Sequence, residues 1–292
     1  MKKIYIELSD ICHLACSFCP AQKGVRGAMS PTVFTQALDY ALPLSNRIAL
    51  HILGDPCALP NLSQYLAITR EKGAQVELVT SGVFSHKHSP QTLLSPPIYQ
   101  LSTSLEAGID NAISSYGTKL TPLLTQHLHN PNCFLNLRIQ DSSLYQRQSI
   151  LCDLLRQILP DSISTPTHKA YHPALHHALA CNDLSALFDE KGRIRLWSRA
   201  FLIKKTHFTW AGFCKTSSTQ KFCPALKEQI GILSDGTIVP CCMDTQGSIN
   251  LGNIAHINLQ EALRSPKAIA IKNGFKYGRA IEPLCQQCGF TS

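Results

Sequence analysis

The sequence has no long apolar run and little charge of either sign. No apolar stretch approaches the ~20 residues of a membrane-spanning helix, and Glu7 and Asp10 interrupt the one N-terminal stretch that resembles a secretion signal. Charged residues make up only 16% of the chain against 44% apolar residues, which excludes disorder and favours a packed globular protein. We therefore expect a soluble cytoplasmic protein of 292 residues, with one large domain or one large and one small domain.

The formal net charge is +8, but the basic residues are spread along the chain. A solubilising surface explains this charge most simply, while an acidic substrate, an acidic electron-donor protein and nucleic acid remain open. Because no basic run forms, the charge alone identifies no partner.

Cysteine, in contrast, is abundant. Thirteen cysteines in a chain that we expect to be cytoplasmic point to metal ligation or redox chemistry rather than disulfides. Seven of them form two groups at opposite ends of the chain: Cys12, Cys16 and Cys19, then Cys223, Cys241, Cys285 and Cys288.

Between these groups, short β-branched or apolar runs alternate with helix-like segments, which predicts an α/β fold of parallel strands and crossover helices. Strands are predicted at residues 4–7, 47–53, 76–80, 98–105 and 134–139, with a sixth within 194–205. Helices are predicted to begin at Ser30-Pro31 and to cover 61–72, 119–128 and 146–159. Histidines at 168, 172, 176 and 177 are interpreted as a solvated loop or helix face, because no matching ligand spacing accompanies them.

The first cysteine group has the spacing C-x-x-x-C-x-x-C and follows the first predicted strand. Three thiolates can hold three corners of a 4Fe-4S cubane, whereas an ordinary cluster or a structural zinc site takes four ligands. The motif therefore predicts a cluster with one open iron. A zinc site or an inert cysteine-rich loop is the alternative.

This motif, with the aromatic Phe18 before its third cysteine, resembles the hallmark of the radical S-adenosylmethionine (SAM) superfamily. Gly54-Asp55-Pro56 resembles the family's Gly-Glu-Pro element, with Asp in place of Glu, and 80–82 resembles its Thr-Asn-Gly. Segment 102–106 resembles the strand-four segment that touches the ribose, and Arg138 an arginine that pairs with the SAM carboxylate. The resemblance implies SAM contacts at Phe18, Gly54, Asp55, Pro56, Ser81, Ser104 and Arg138.

The resemblance also implies a fold and a chemistry. The fold is a partial (β/α)6 barrel with the active site at the carboxyl ends of the strands. In the family, SAM chelates the open iron, and one electron from the cluster releases a 5′-deoxyadenosyl radical that abstracts a substrate hydrogen atom. A low-potential donor such as flavodoxin or ferredoxin would supply the electron.

The second cysteine group lies in a region with its own pattern. Two short strands, 229–233 and 237–239, flank the turn Asp235-Gly236, and a helix at 259–264 precedes the closing C-x-x-C. The four thiolates complete the ligand set of one cluster, although a zinc ribbon has a similar pattern.

This region resembles the SPASM/twitch domain, whose Gly-x-x-x-x-Cys spacing recurs at Gly236 to Cys241. The resemblance implies one auxiliary 4Fe-4S cluster, because the three further cysteines of the full SPASM form are missing. Cys242 or Cys214 could replace an assigned ligand. Segment 207–212, which resembles the stretch preceding this domain in many relatives, either lines the substrate cavity or packs in the core.

We therefore expect a radical SAM core at residues 1–213 and an auxiliary-cluster domain at 214–292. The expected function is an oxidoreductase or maturase that oxidises a small molecule or peptide, and a cross-linking peptide-modifying enzyme is a close variant. An iron–sulfur or zinc regulatory protein that binds nucleic acid is the alternative from another class. The residues do not identify the substrate.

Overall fold

The computed structural model of the chain describes residues 1–20, 26–141, 146–159 and 174–290. Within them the strands are β1 (Lys3–Ile6), β2 (Arg47–Ala49), β3 (Gln75–Thr80), β4 (Ile98–Ser104), β5 (Phe134–Gln140), β6 (Arg193–Trp197), β7 (Ala200–Lys205), β8 (Gln229–Ile232) and β9 (Ile238–Val239). The helices are α1 (Pro31–Ala41), α2 (Leu62–Glu71), α3 (Pro90–Leu94), α4 (Leu105–Asp110), α5 (Tyr116–His129), α6 (Gln148–Ile158), α7 (Ala174–Ala180), α8 (Leu259–Arg264), α9 (Pro266–Lys276) and α10 (Pro283–Gln286).

These elements form two compact units. The first comprises the described residues of Met1–His13, Phe18–Glu77 and Phe208–Ser292, and the second those of Leu14–Ser17 and Leu78–His207. No helix of the described chain is both long and apolar enough to cross a membrane. This division follows spatial contacts and leaves the boundary expected at 213/214 untested.

In the first unit the strand order is β3-β2-β1-β8-β9, parallel except for β9. Ile4 of β1 lies in register with Ile48 of β2 on one side and with Ile230 of β8 on the other, and all three side chains are fully buried. The hairpin of β8 and β9 is confirmed. Its pairing with β1 was not predicted, and it places the C-terminal cysteines beside the strand that leads to the N-terminal ones.

In the second unit the order is β6-β7-β5-β4. Strands β4, β5 and β7 are parallel, and β6 is antiparallel to β7. The sixth strand predicted within 194–205 is confirmed as β7, which is parallel to β5. The strand β6 before it was not predicted, because the chain turns at Ser198 and Arg199 and forms a hairpin. Arg199 has φ +58°, a conformation that its residue type does not signal.

Several predicted helices are confirmed with small shifts at their ends. Ser30 caps α1 by accepting a hydrogen bond from the Val33 amide at 3.2 Å, and Pro31 occupies the first helical position, as the sequence indicated. His176 and His177 lie exposed on α7, whereas positions 168 and 172 lie outside the described residues. The mixed α/β class is confirmed.

Candidate functional site

The three N-terminal cysteines follow the end of β1. Their thiols, at Cys12, Cys16 and Cys19, are each partly buried. The loop therefore begins at the carboxyl end of a parallel strand, the edge where α/β folds bind ligands.

The middle of this loop is held by the carboxyl end of α4. The Asn111 side-chain oxygen accepts a hydrogen bond from the Ala15 amide at 2.8 Å, and the Asp110 carboxylate accepts one from the Ser17 amide at 2.8 Å. The Asn111 Nδ2 donates to the Cys16 Sγ at 3.4 Å. An N–H donor aimed at sulfur favours a thiolate, which is the form that binds metal.

Asp110 is held in its charged form. Burial alone would raise the pKa of this carboxyl, but hydrogen bonds from Ser17 and Arg147 outweigh burial and hold the pKa below its ordinary value. Sequence reasoning missed Asp110 and Asn111, because they lie more than 90 residues from the loop. A polar pair at the end of a short helix after β4 was the one available signal.

Gly54 packs directly against the chain that enters the cysteine loop. It has φ +67°, and a Cβ there would lie 2.2 Å from the Ser9 carbonyl oxygen and 3.0 Å from that of Ile11. The next amide, of Asp55, donates to the Ile11 oxygen at 3.4 Å. Only glycine fits this position, so the turn predicted to contact SAM lies beside the residue preceding Cys12.

The Asp55 side chain acts within its own turn. Its carboxylate is buried and accepts a hydrogen bond from the Cys57 amide at 2.9 Å, which caps the short 3₁₀ helix Pro56–Ala58. Asp performs this capping well because its short side chain reaches the amide two residues on. Asp55 therefore has a local structural role in this turn.

The second unit brings three other predicted contacts together. The hydroxyl of Tyr116 lies 2.6 Å from the Ser81 carbonyl oxygen and 3.0 Å from that of Ser104, and its single proton serves both. Ser104 is also in register with Arg138 on the neighbouring parallel strand. Tyr116 thus ties the carboxyl ends of β3 and β4 where the strand-end residues meet.

Glu106, in the predicted ribose-contacting segment, faces the protein instead. It is buried, and its carboxylate accepts the Gln140 amide at 3.0 Å. This bond satisfies the backbone amide of the last residue of β5, whereas Ser104 in the same segment is only partly buried.

A buried carboxylate, Glu7, joins three segments of the first unit. Its Oε1 accepts the Leu53 amide at 3.0 Å, and its Oε2 accepts the Ser234 amide at 3.1 Å and the Arg26 guanidinium at 2.8 Å. The side chain is fully buried. Glu7 therefore fixes the residue preceding Gly54 and the turn of the C-terminal hairpin. Sequence analysis noted this residue only as a charge within an apolar stretch.

We expect Glu7→Gln to lower the free energy of unfolding by about 3 kcal/mol, because it leaves a mostly buried guanidinium without its charged partner and places the new amide N–H donor against a backbone N–H donor. Urea denaturation would measure the change. Glu228→Gln is the control, since the Glu228–Lys2 pair is solvent-exposed and should cost under about 1 kcal/mol. Equal effects of the two substitutions would contradict the role assigned to Glu7.

The four assigned C-terminal cysteines line one pocket. Cys241 and Cys285 are buried, and Cys223 and Cys288 are partly buried. Cys214 does not line this cavity, and neither does Cys242, whose thiol is hydrogen-bonded to the Tyr5 hydroxyl. Among the described residues, no three His, Cys, Asp or Glu side chains converge closely enough to hold a single metal ion.

Burial favours the protonated form of the Cys223, Cys241 and Cys285 thiols in the chain without metal. It raises the pKa of Cys285 to about 12, with the neighbouring thiols adding to the effect, and it raises the pKa of Cys223 and Cys241 as well. A thiolate in this cavity therefore needs a cation beside it. The donor set fits an iron–sulfur cluster, whose iron supplies that charge.

A pH dependence follows. The metal-free protein should lose stability as the pH rises from about 9, because the unfolded thiols ionise there while the folded Cys285 thiol stays protonated toward pH 12. The expected slope is at most ~1.4 kcal/mol per pH unit for each such thiol. Urea midpoints between pH 8 and 10.5 would measure it, and Cys285→Ala should flatten the slope. A slope that this substitution leaves unchanged would show that Cys285 does not contribute.

Comparison with known proteins bears on both regions. Residues 223–289 match the family model of SPASM, an iron-sulfur cluster-binding domain. This match includes all four cavity cysteines. No curated protein matches the sequence.

Solved structures share the fold across nearly the whole chain. BtrN in complex with AdoMet and 2-DOIA has a TM-score of 0.61 at 18% identity, covering 100% of this chain and 94% of BtrN. AnSMEcpe with bound AdoMet has a TM-score of 0.56 at 14% identity, covering 94% of this chain and 83% of anSMEcpe. Streptococcus suis SuiB bound to precursor peptide SuiA has a TM-score of 0.55 at 15% identity, covering 99% of this chain and 69% of SuiB. The resemblance to radical SAM proteins with a SPASM/twitch domain is thus confirmed for the fold and the C-terminal domain.

Proposed function

We propose that this chain is a radical SAM enzyme with one auxiliary cluster, an oxidoreductase or maturase acting on a small molecule or a peptide. The observation that carries the proposal is the position of the C-x-x-x-C-x-x-C loop. It follows β1, and the chain entering it packs on Gly54 with no room for a Cβ. The match to an iron-sulfur cluster-binding domain supports the auxiliary site.

The N-terminal thiolates would hold a 4Fe-4S cluster with one iron open to SAM. The Asn111 Nδ2 beside the Cys16 sulfur fits this assignment, since ligating sulfurs accept such hydrogen bonds. The residues that would contact SAM, by main chain or side chain, are Phe18, Gly54, Asp55, Pro56, Ser81, Ser104 and Arg138.

Cys223, Cys241, Cys285 and Cys288 would hold the auxiliary 4Fe-4S cluster. Their cavity supports this choice over Cys214 and Cys242, because neither of those thiols lines it. The match of residues 223–289 to an iron-sulfur cluster-binding domain favours a cluster over zinc. Four ligands leave no iron open for SAM.

With SAM and the two clusters bound, the chemistry supplied would be a 5′-deoxyadenosyl radical that abstracts a substrate hydrogen atom, with the auxiliary cluster available to accept an electron. The protein's part is to position these groups. Asp110 and Asn111 fix the loop, Tyr116 fixes the strand ends, and the Arg138 guanidinium is suited to pair with a carboxylate. We propose a low-potential donor such as flavodoxin or ferredoxin, in the cytoplasm, where thiols stay reduced.

The substrate class has two candidates. BtrN, complexed with AdoMet and 2-DOIA, is covered over 94% of its chain and supports the oxidation of a small molecule. SuiB, bound to a precursor peptide, is covered over 69% and supports peptide modification. We retain 1–213 and 214–292 as the proposed domains.

Anaerobic reconstitution tests the proposal. Two 4Fe-4S clusters correspond to ~8 iron atoms per chain with little zinc, and dithionite-reduced protein should release 5′-deoxyadenosine from SAM. A content of about four iron atoms and one tightly bound zinc per chain would instead indicate that the C-terminal cysteines form a zinc site. If both clusters are reconstituted but no 5′-deoxyadenosine is released, the result would favour a regulatory iron–sulfur protein. Binding to a DNA or RNA probe would then be measured.

A further inference from the structure

The segment 209–212, here called the strap, contacts the N-terminal cysteine loop through one side chain. The indole Nε1 of Trp210 donates a hydrogen bond to the carbonyl oxygen of Phe18 at 2.8 Å, joining positions 192 residues apart. Phe18 immediately precedes Cys19. The orientation of the peptide before the third thiol therefore depends on Trp210.

The same strap pairs with the C-terminal cysteine motif through its backbone. The Gly289 amide donates to the Thr209 carbonyl at 3.0 Å, and the Gly212 amide donates to the Gln287 carbonyl at 3.0 Å. Gln287 and Gly289 flank Cys288. Two main-chain hydrogen bonds thus join the residues on either side of Cys288 to the strap, which carries Trp210.

The strap and the C-terminal cysteine motif are in close van der Waals contact. A Cβ on Gly289 would lie 2.9 Å from the Cβ, N and O atoms of Thr209. The Phe208 ring packs edge-on between Trp210 at 5.4 Å and Phe290 at 5.9 Å. Ala211, inside the strap, lines the cavity of the four thiols. The strap and the C-terminal cysteine motif are therefore closely packed against each other.

We propose that the strap couples the two cluster sites, and that Trp210 is the positioning residue through which the state of the C-terminal site orders the N-terminal cysteine loop. This inference rests on the proposed function for the identity of the sites. Metal ligation at Cys285 and Cys288 fixes Gln287 and Gly289, these fix the strap, and the strap holds the Phe18 carbonyl.

Hydrogen–deuterium exchange of the reconstituted full chain tests the coupling without requiring SAM cleavage. Trp210→Phe keeps an aromatic ring and removes the N–H donor. It should speed exchange in peptides covering residues 12–20 about fivefold, the factor of one neutral hydrogen bond. Cys285→Ala/Cys288→Ala should produce a similar increase at these residues. In the variant that combines all three substitutions, exchange at residues 12–20 should be at most about twofold faster than in Trp210→Phe or in the double cysteine variant, because both changes interrupt the same coupling through the strap.

The other tryptophan supplies a matched control. Trp197 donates its indole N–H to the buried His127 ring at 2.9 Å, so Trp197→Phe removes an equivalent bond outside the strap. Exchange at residues 12–20 should stay unchanged. In this background Trp210 is the sole tryptophan, and its fluorescence should respond to loading of the C-terminal cluster.

Gly289→Ala addresses the case in which the double cysteine variant fails to fold. It keeps all thiols, and its Cβ displaces the strap, so exchange at residues 12–20 should rise although the C-terminal iron is retained. Unchanged exchange in Trp210→Phe or Gly289→Ala, or additive effects in the combined variant, would overturn the coupling. Absence of deoxyadenosine from the wild-type chain would instead count against the proposed function and leave the exchange result standing.

Discussion

Replacing any one of Cys12, Cys16 or Cys19 by Ala should abolish the release of 5′-deoxyadenosine from SAM. Two thiolates cannot hold a cubane with a single open iron, so the site that would bind SAM is lost rather than weakened. The expected activity is the background of protein without iron, measured by chromatography after dithionite reduction.

Cys181→Ser is the control for general thiol effects. This thiol is exposed, lies outside both cysteine groups and should leave deoxyadenosine formation unchanged. Iron analysis should show a loss of about four atoms per chain in the three alanine variants and none in the control. Full SAM cleavage by any of the three would refute the assignment of the N-terminal loop.

The second large effect is expected at the opposite end of the chain. Cys285→Ala/Cys288→Ala should leave part of the SAM cleavage, because the 5′-deoxyadenosyl radical would still form at the N-terminal site. Oxidised product should fall to background, because the auxiliary cluster that would accept the electron of the substrate radical would be missing. Burial of Cys285 in the cavity also implies a loss of stability, since ligated metal contributes folding free energy.

This comparison requires a folded variant whose N-terminal cluster is intact by electron paramagnetic resonance. Cys242→Ala is the matched control, because its thiol lies outside the cavity and should be dispensable for iron content. Unchanged formation of oxidised product in the double variant would remove the electron-acceptor role and leave the radical mechanism. Complete loss of SAM cleavage would mean that the two sites were assigned in reverse.

Local chemistry explains which elements could be predicted. Ser30-Pro31 starts α1, and Asp235-Gly236 turns the C-terminal hairpin, because capping and left-handed turns depend on residues adjacent in sequence. The hairpin at Arg199 escaped prediction because an arginine with positive φ is tolerated there by strand pairing rather than favoured by its own side chain.

The amino-acid sequence by itself determined the two cysteine groups, the parallel α/β class and the turns, since each depends on residue type and short-range spacing. Only the tertiary structure decided which distant groups meet. Glu7 joins Leu53 and Ser234, Asn111 reaches the Cys16 sulfur, and β8 pairs with β1. These contacts arise from burial and hydrogen bonding between segments up to 227 residues apart, and such long-range choices leave no periodic signal in the sequence.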